Sequence, residues 1–169
     1  MTFVDVYDNF LPIEEHQKLL ALAASPQFPW FFNDSTLSEE DRAGQESMHD
    51  FQFVHSIFAG HRQNSPFYDA FAPMIEKLAI KALVRIKLNC TTWMPTQELM
   101  GWHKDYEIVG PTSSIYYLNT NNGKTVYEDG TSVDSVANRL VTFPAHTKHS
   151  GKTATDVKQR LVVNFLYFT

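Results

Sequence analysis

The residues best suited to chemistry in this chain lie between positions 103 and 164. His103 and Asp105 are separated only by Lys104. On an extended strand, side chains at i and i+2 share a face, so an imidazole and a carboxylate converge on one point while Lys104 turns away. His149 stands well downstream, after the apolar stretch holding Leu140, Val141 and Phe143, and Arg160 opens the last apolar stretch eleven residues later. Two imidazoles and one carboxylate on a single face of an octahedron leave three positions open. That geometry suits non-haem Fe(II), which then has room for O₂ and a chelating second ligand. Singly, each feature is ordinary: His-x-Asp is a common spacing, His149 resembles a loop histidine, and a lone arginine is usually a solvated charge. Their order, and the strand context around them, carry the signal.

Positioning such a set needs a rigid frame, and the composition permits one. The chain has 169 residues, 43% hydrophobic and 20% charged, which is enough for one domain over residues 1–169 with its own core. Aromatic residues make up 14%, a content that favours the half-buried faces of sheets. The formal net charge of -5 gives no electrostatic footprint for nucleic acid, and no run of basic residues suggests a membrane surface. Cys90 is the single cysteine, so neither an intramolecular disulfide nor a cysteine-based zinc site is expected. Residues 1–10 lack the pattern of a signal peptide, and no apolar run is long enough to span a bilayer. The expected compartment is reducing and cytoplasmic. Nothing in the sequence specifies an oligomeric state.

Helical spacing comes first along the chain. A helix is expected from Pro12, with Glu14 and Glu15 complementing its positive end and Leu19, Leu20, Leu22 and Ala23 on its buried stripe. Trp30-Phe31-Phe32 reads as a strand and 33–50 as a loop. Phe71, Met74, Ile75, Leu78 and Ala82 fit a second helix, with Pro73 in its first turn. From Leu83 the period becomes two: Val84, Ile86 and Leu88 alternate with Arg85, Lys87 and Asn89, as in a half-buried strand. Further strands are expected at 113–118, 124–127, 139–143 and 160–168. Gly110-Pro111, Asn121-Asn122-Gly123, Asp129-Gly130 and His149-Ser150-Gly151 serve as turns. Helices followed by many short strands predict an α+β, mainly β plan: an antiparallel sandwich or barrel with N-terminal helices packed on one sheet.

Five stretches carry a family resemblance: Gly101-Trp102-His103-Lys104-Asp105, Ser114-Ile115-Tyr116-Tyr117-Leu118-Asn119, Gly123-Lys124-Thr125-Val126-Tyr127, the run from Phe143 to His149, and Gln159-Arg160-Leu161-Val162-Val163. In this order they resemble the 2-oxoglutarate/Fe(II)-dependent oxygenases, in particular the small bacterial and phage-type members of the prolyl-4-hydroxylase-like branch. Lys124 departs from the pattern, standing where that branch often has a second glycine. The resemblance implies a distorted double-stranded β-helix, or jelly roll. It also implies a dioxygenase that hydroxylates an unactivated C–H bond, such as that of a prolyl residue, with release of succinate and CO₂. His103, Asp105 and His149 would hold Fe(II). Arg160 would clamp the distal carboxylate of 2-oxoglutarate through its planar fork, with Tyr117 donating a hydrogen bond to the same group. O₂ is the other cosubstrate, and ascorbate is a candidate accessory.

His146 shares a turn with His149, but the family's spacing to the Phe-Pro pair and to the arginine favours His149. Asn164 lies on the Arg160 face of its strand and is a candidate cosubstrate contact. Asn89, Trp93 and Trp102 are left open as cosubstrate or substrate contacts, and His16, His49, His55 and His61 are expected to be structural. The expected partner is a small-molecule or peptide substrate. Two competing readings are a cupin-like metal protein or isomerase that does not use 2-oxoglutarate and has no need of Arg160, and a metal-free binding module that keeps the barrel.

Overall fold

The computed structural model describes residues 4–39, 41–45 and 47–169. The helix expected from Pro12 is α1, Ile13–Ala23, with Pro12 itself at the N-cap and His16, Leu19 and Ala23 on the buried side. The second helix is shorter than its apolar spacing suggested. A 3₁₀ turn over Tyr68–Phe71 leads into α2, Ala72–Lys77, and Ala79 then takes a positive φ of 50°, which stops it. Ala82 therefore does not continue the helix but opens the strand β5, Ala82–Thr92.

Before it lie β1, Asp5–Tyr7, β2, Phe31–Asn33, β3, Gln52–Ala59, and β4, Arg62–Gln63. After it come β6, Thr112–Tyr117, β7, Lys124–Tyr127, β8, Ser132–Asp134, β9, Arg139–Pro144, β10, His149–Lys152, and β11, Gln159–Phe168. Two of the sequence expectations change here. His149-Ser150-Gly151 is not a turn but most of β10, and 101–105 is not a strand: only His103 makes an isolated bridge there. Both segments are polar and contain glycine, so local pattern alone argued the other way.

All pairings are antiparallel. An eight-stranded sheet runs β1-β9-β6-β11-β5-β3-β2, with β4 beside β3, and a three-stranded sheet runs β10-β7-β8. The large sheet is covered on both faces. On one, Leu19, Ala23, Phe71 and Met74 from the helical segments pack with Ile86, Leu88, Tyr116, Val163 and Phe165. On the other, Ile115, Tyr117, Val141, Phe143 and Val162 meet Tyr127 and Val133 of the small sheet. Strand alternation assigns the faces: in β11, Leu161, Val163 and Phe165 turn to the helices, while Arg160, Val162 and Asn164 turn toward the small sheet. In β5, Ile86, Leu88 and Cys90 do the first, and Arg85, Lys87, Asn89 and Thr91 the second. The space between the sheets is thus apolar at one end and polar at the other.

A buried polar chain fixes α1 on the sheet. Asn138 accepts from the Leu11 amide at 2.8 Å and donates back to the Leu11 carbonyl at 2.8 Å, while the Tyr116 hydroxyl donates to Asn138 Oδ1 at 2.8 Å. The Tyr116 proton being so used, His16 Nδ1–H is the donor in its 2.7 Å contact with that hydroxyl. Burial pushes the His16 pKa down, in keeping with a neutral ring. Asn138 also holds a φ of 62°, a region that asparagine tolerates better than most residues. Replacing Asn138 by Ala should destabilise the fold by about 3 kcal/mol, combining lost buried hydrogen bonds with left-handed backbone strain. Asn138→Gly should lose less, because it keeps the backbone conformation without strain. Urea denaturation checks this; an Ala variant within about 0.5 kcal/mol of wild type would show that the network does not hold the helix.

Candidate metal centre

The three sequence-expected ligands come from two segments that the small sheet joins. Residues 99–103 extend that sheet beside β10 through the bridges Leu99↔Lys152 and His103↔His149. His103 and His149 exchange both backbone hydrogen bonds, at 3.0 and 2.9 Å, so their side chains leave the same face and the ring centroids stand 4.6 Å apart. Each Nδ1 lies near a carbonyl of its own segment, Gly101 O at 3.2 Å for His103 and Thr147 O at 3.0 Å for His149. Donating Nδ1–H to a carbonyl leaves Nε2 with its lone pair free, the tautomer a metal ligand requires. Burial, together with the neighbouring His149, pushes the His103 imidazole down to about 4, so it is neutral near pH 7.

Asp105 reaches the same point from a different support. Its amide and that of Tyr106 both donate to Ala145 O at 3.1 Å, just beyond β9. Its carboxylate is held by the large sheet: Ser113 of β6 donates at 2.6 Å, Asn164 of β11 at 3.0 Å, and Arg85 of β5 forms an ion pair with the other oxygen. Burial opposes its charge, yet Arg85, the two imidazoles and the Ser113 hydroxyl outweigh that and hold the carboxyl well below the usual range. One ligand atom from each of His103, Asp105 and His149 lies within 4.8 Å of the others, and His149 Nε2 is 3.8 Å from Asp105 Oδ2. The donor set, its protonation and its convergence fit a divalent metal. His146 is outside this group; it lines surface clefts, with its Nδ1 buried and unpartnered.

A cavity leads inward from the three ligands to Arg160, past Ile115, Thr125 and Val162. Arg160 is buried, donates from Nε to Ser135 at 2.9 Å and lies over the Tyr117 ring at 5.7 Å. Among the described residues no carboxylate pairs with it. Gly123 makes room for it: a Cβ there would fall 2.7 Å from Arg160 Cδ. Tyr117 does not line the cavity. Its hydroxyl donates to Thr125 Oγ1 at 2.7 Å, and Thr125 forms the wall instead. Asn164 does reach the centre, through Asp105. Trp93 is half exposed and donates to Thr155 O at 2.9 Å, and Trp102 is held through its backbone by Gln45 at 2.9 and 3.2 Å. His55 is structural, bridging Pro29 O and Ser65 at 2.7 and 2.8 Å.

Sequence reasoning missed Arg85, Lys87, Ser113 and Thr91. The polar alternation of β5 was legible, but it was assigned to an ordinary half-buried strand. The strand is central, flanked by β11 and β3, so its polar face looks into the site. Asn89 Oδ1 and Thr91 Oγ1 are buried on that face without a partner. Among the described residues, no helix is long and apolar enough to cross a membrane.

No family model and no curated protein sequence matches the chain. Solved structures do. A prolyl-4-hydroxylase from Pseudomonas putida superposes with a TM-score of 0.64 at 15% identity, over 100% of this chain and 94% of that one. A prolyl hydroxylase from Trichoplax adhaerens, solved in complex with a hypoxia inducible factor peptide fragment, gives 0.67 at 15% identity, over 99% and 84%. SnoK, a non-haem α-ketoglutarate-dependent carbocyclase of nogalamycin biosynthesis, gives 0.70 at 12% identity, over 99% and 79%. At these identities the likeness is one of fold, and that fold is shared with 2-oxoglutarate/Fe(II) oxygenase structures.

Two expectations follow from the geometry. His103→Ala, Asp105→Ala and His149→Ala should each abolish tight Mn(II) binding, whereas His146→Ala should leave it intact; the reverse result for the two histidines would move the ligand. Arg85→Met leaves a buried carboxylate without its cation, so the metal-free protein should lose on the order of 2 kcal/mol, given that Arg85 is partly solvated. Mn(II) should then raise the melting temperature of the variant more than that of wild type. Equal shifts in a thermal melt would mean that Arg85 does not balance Asp105.

Proposed function

We propose that this chain is a single-domain, non-haem Fe(II)- and 2-oxoglutarate-dependent dioxygenase that hydroxylates an unactivated C–H bond. The observation that carries the reading is Arg160, a buried guanidinium with no acidic partner among the described residues, at the opposite end of one cavity from His103, Asp105 and His149. A buried arginine keeps its charge and needs a counter-ion, and its planar fork matches a carboxylate. A cupin-like metal protein would leave it without a use.

The strand order supports the same reading. From β5 onward the chain alternates between large and small sheet: β5, then 99–103, β6, β7 and β8, β9, β10 and β11. Such alternation is what the winding of a double-stranded β-helix would give, and it supports that reading. His103, Asp105 and His149 would hold Fe(II), and Ser113, Asn164 and Arg85 would hold Asp105 in place. Arg160 would clamp one carboxylate of 2-oxoglutarate, with the Thr125 and Thr91 hydroxyls beside it. Ile115 and Val162 would keep water from the channel between. With Fe(II) bound, the metal supplies O₂ activation coupled to oxidative decarboxylation of 2-oxoglutarate to succinate and CO₂.

The substrate class is a small molecule or a peptide. The structural neighbours include a prolyl hydroxylase in complex with a peptide fragment and an epimerase in complex with nogalamycin RO, which supports either class.

Calorimetric titration of 2-oxoglutarate into anaerobic, Mn(II)-loaded protein tests the clamp. Arg160→Ala should weaken binding by about 100-fold, or roughly 3 kcal/mol. Arg160→Lys should recover part of this, retaining charge without the fork. Tyr117→Phe should cost about 1 kcal/mol or less, acting only through Thr125. If wild type does not bind 2-oxoglutarate, or Arg160→Ala binds it equally well, the dioxygenase reading fails.

A further inference from the structure

Lys87 stands at the junction of two cavities. The inner one runs from the candidate ligands to Arg160; the outer one opens between segments 33–39 and 104–108. Among the described residues, only Thr36, Lys87, His103 and Asp105 line both. On β5, Lys87 lies opposite Asn164 of β11, whose side chain holds Asp105, and opposite Ser56 of β3. The ammonium therefore sits at the level of the metal ligands, on the side open to an incoming molecule.

It has no partner there. Among the described residues no carboxylate lies within ion-pair distance of Lys87, and the Asp105 carboxylate is already committed to Arg85, Asn164 and Ser113. Burial, with Arg85 nearby, lowers its pKa to about 8, and the Asp105 carboxylate only partly opposes that shift. Asp105 is offset by Arg85, and the two carboxylates of a bound 2-oxoglutarate are offset by a divalent metal. Arg160 and Lys87 then remain as surplus positive charge in a largely buried site, and such a charge is unfavourable unless something neutralises it.

We propose that Lys87 binds a carboxylate of the substrate, which is a small carboxylic acid such as an amino acid or a 2-hydroxy acid rather than an uncharged residue within a peptide. The inference rests on the dioxygenase reading and deepens it. A monoanion suits Lys87, because among the described residues the rim offers no second free cation. Lys104 there is paired with Glu107 at 2.9 Å, and Asp41 stands on the same rim. The rival ligand for Lys87 is the metal-bound carboxylate of 2-oxoglutarate itself, and the experiment must separate the two.

The probes are the common amino acids and their 2-hydroxy acid counterparts, each paired with its own primary amide, which keeps the shape and removes the charge. They are titrated into anaerobic full-length protein loaded with Mn(II) and 2-oxoglutarate, for wild type, Lys87→Met, Lys87→Gln and Lys87→Arg. At least one acid should bind wild type tighter than its amide by about tenfold or more. Lys87→Met and Lys87→Gln should erase that preference while keeping 2-oxoglutarate affinity within about twofold, and Lys87→Arg should keep part of it. The retained 2-oxoglutarate binding also shows that each variant is folded. Loss of 2-oxoglutarate binding in both neutral variants would assign Lys87 to the cosubstrate and overturn the proposal. So would a panel in which no acid outbinds its amide, or a preference that survives in Lys87→Met. Wild type that takes up no 2-oxoglutarate would be a different failure, that of the dioxygenase reading, and this proposal would fall with it.

Discussion

A carboxylate buried between two sheets must find partners for both oxygens, and the way Asp105 does so organises this molecule. Its backbone hangs from the turn after β9, while its oxygens are held by Ser113, Asn164 and Arg85 from three strands of the large sheet. One side chain thereby ties the segment carrying His103 to the opposite layer. Loss of any one of these donors would leave a buried charge under-satisfied, so the three strands are bound to a common register at this level. The His103–His149 pair contributes the other half: two exchanged backbone hydrogen bonds place both rings on one face without any side-chain adjustment. Sheet pairing thus sets the two imidazoles of the candidate metal centre, and the turn after β9 with the large sheet sets its carboxylate.

The interior that results is polar in an unusual way. Ordinary cores pair their buried charges, yet Arg160 and Lys87 lack acidic partners, and Asn89 Oδ1 and Thr91 Oγ1 lack hydrogen-bond partners among the described residues. Each such group opposes folding by roughly 1 kcal/mol or more until something fills the cavity. The apolar packing must offset this. It does so on both faces of the large sheet, through the helical layer on one side and the Ile115, Tyr117, Val141, Phe143 and Val162 layer on the other. Apolar packing and polar lining are segregated along the strands: outward residues of β5 and β11 hold the fold, and alternate residues of the same strands line the cavity, several without partners among the described residues.

That alternation explains what could be foreseen from sequence. The period of two from Leu83, the strands 124–127 and 139–143, and the face shared by Arg160 and Asn164 were legible because burial imposes them locally. The convergence of His103, Asp105 and His149, and the place of Arg160 on the same cavity, could be anticipated because residue type and order narrow the chemistry. The placement of Arg85 and Lys87 beside them could not. Whether the polar face of a strand meets water or another sheet depends on which neighbours pair with it, and β5 acquires its neighbours from residues 52–59 and 159–168. Tyr117 shows the same limit at finer scale: its strand and face follow from the pattern, but Thr125 of the other sheet intercepts its hydroxyl. The polar strand β10 and the shortened α2 were misjudged because glycine, serine and an alanine with positive φ carry weak local preferences that pairing and packing override.

The two ends of the cavity are built from different kinds of structure, and this bears on how specificity can change. The Arg160 end is made of strand residues in a fixed register, with Gly123 sized to the arginine. The outer end draws on segments 34–39 and 104–108, which are irregular and can vary without disturbing a sheet. The first of these is not free of the metal centre, however. Asp50 binds Ser35 at 2.6 Å, Thr36, and the Gly101 amide at 3.3 Å, while Gln45 bonds both the amide and the carbonyl of Trp102. The segment that walls the outer cavity is therefore fastened one and two residues before His103. A molecule that moved that wall would shift strain through Asp50 and Gln45 onto the segment carrying His103, whereas the hydrogen-bonded register of β5, β6 and β11 would shield the Arg160 end.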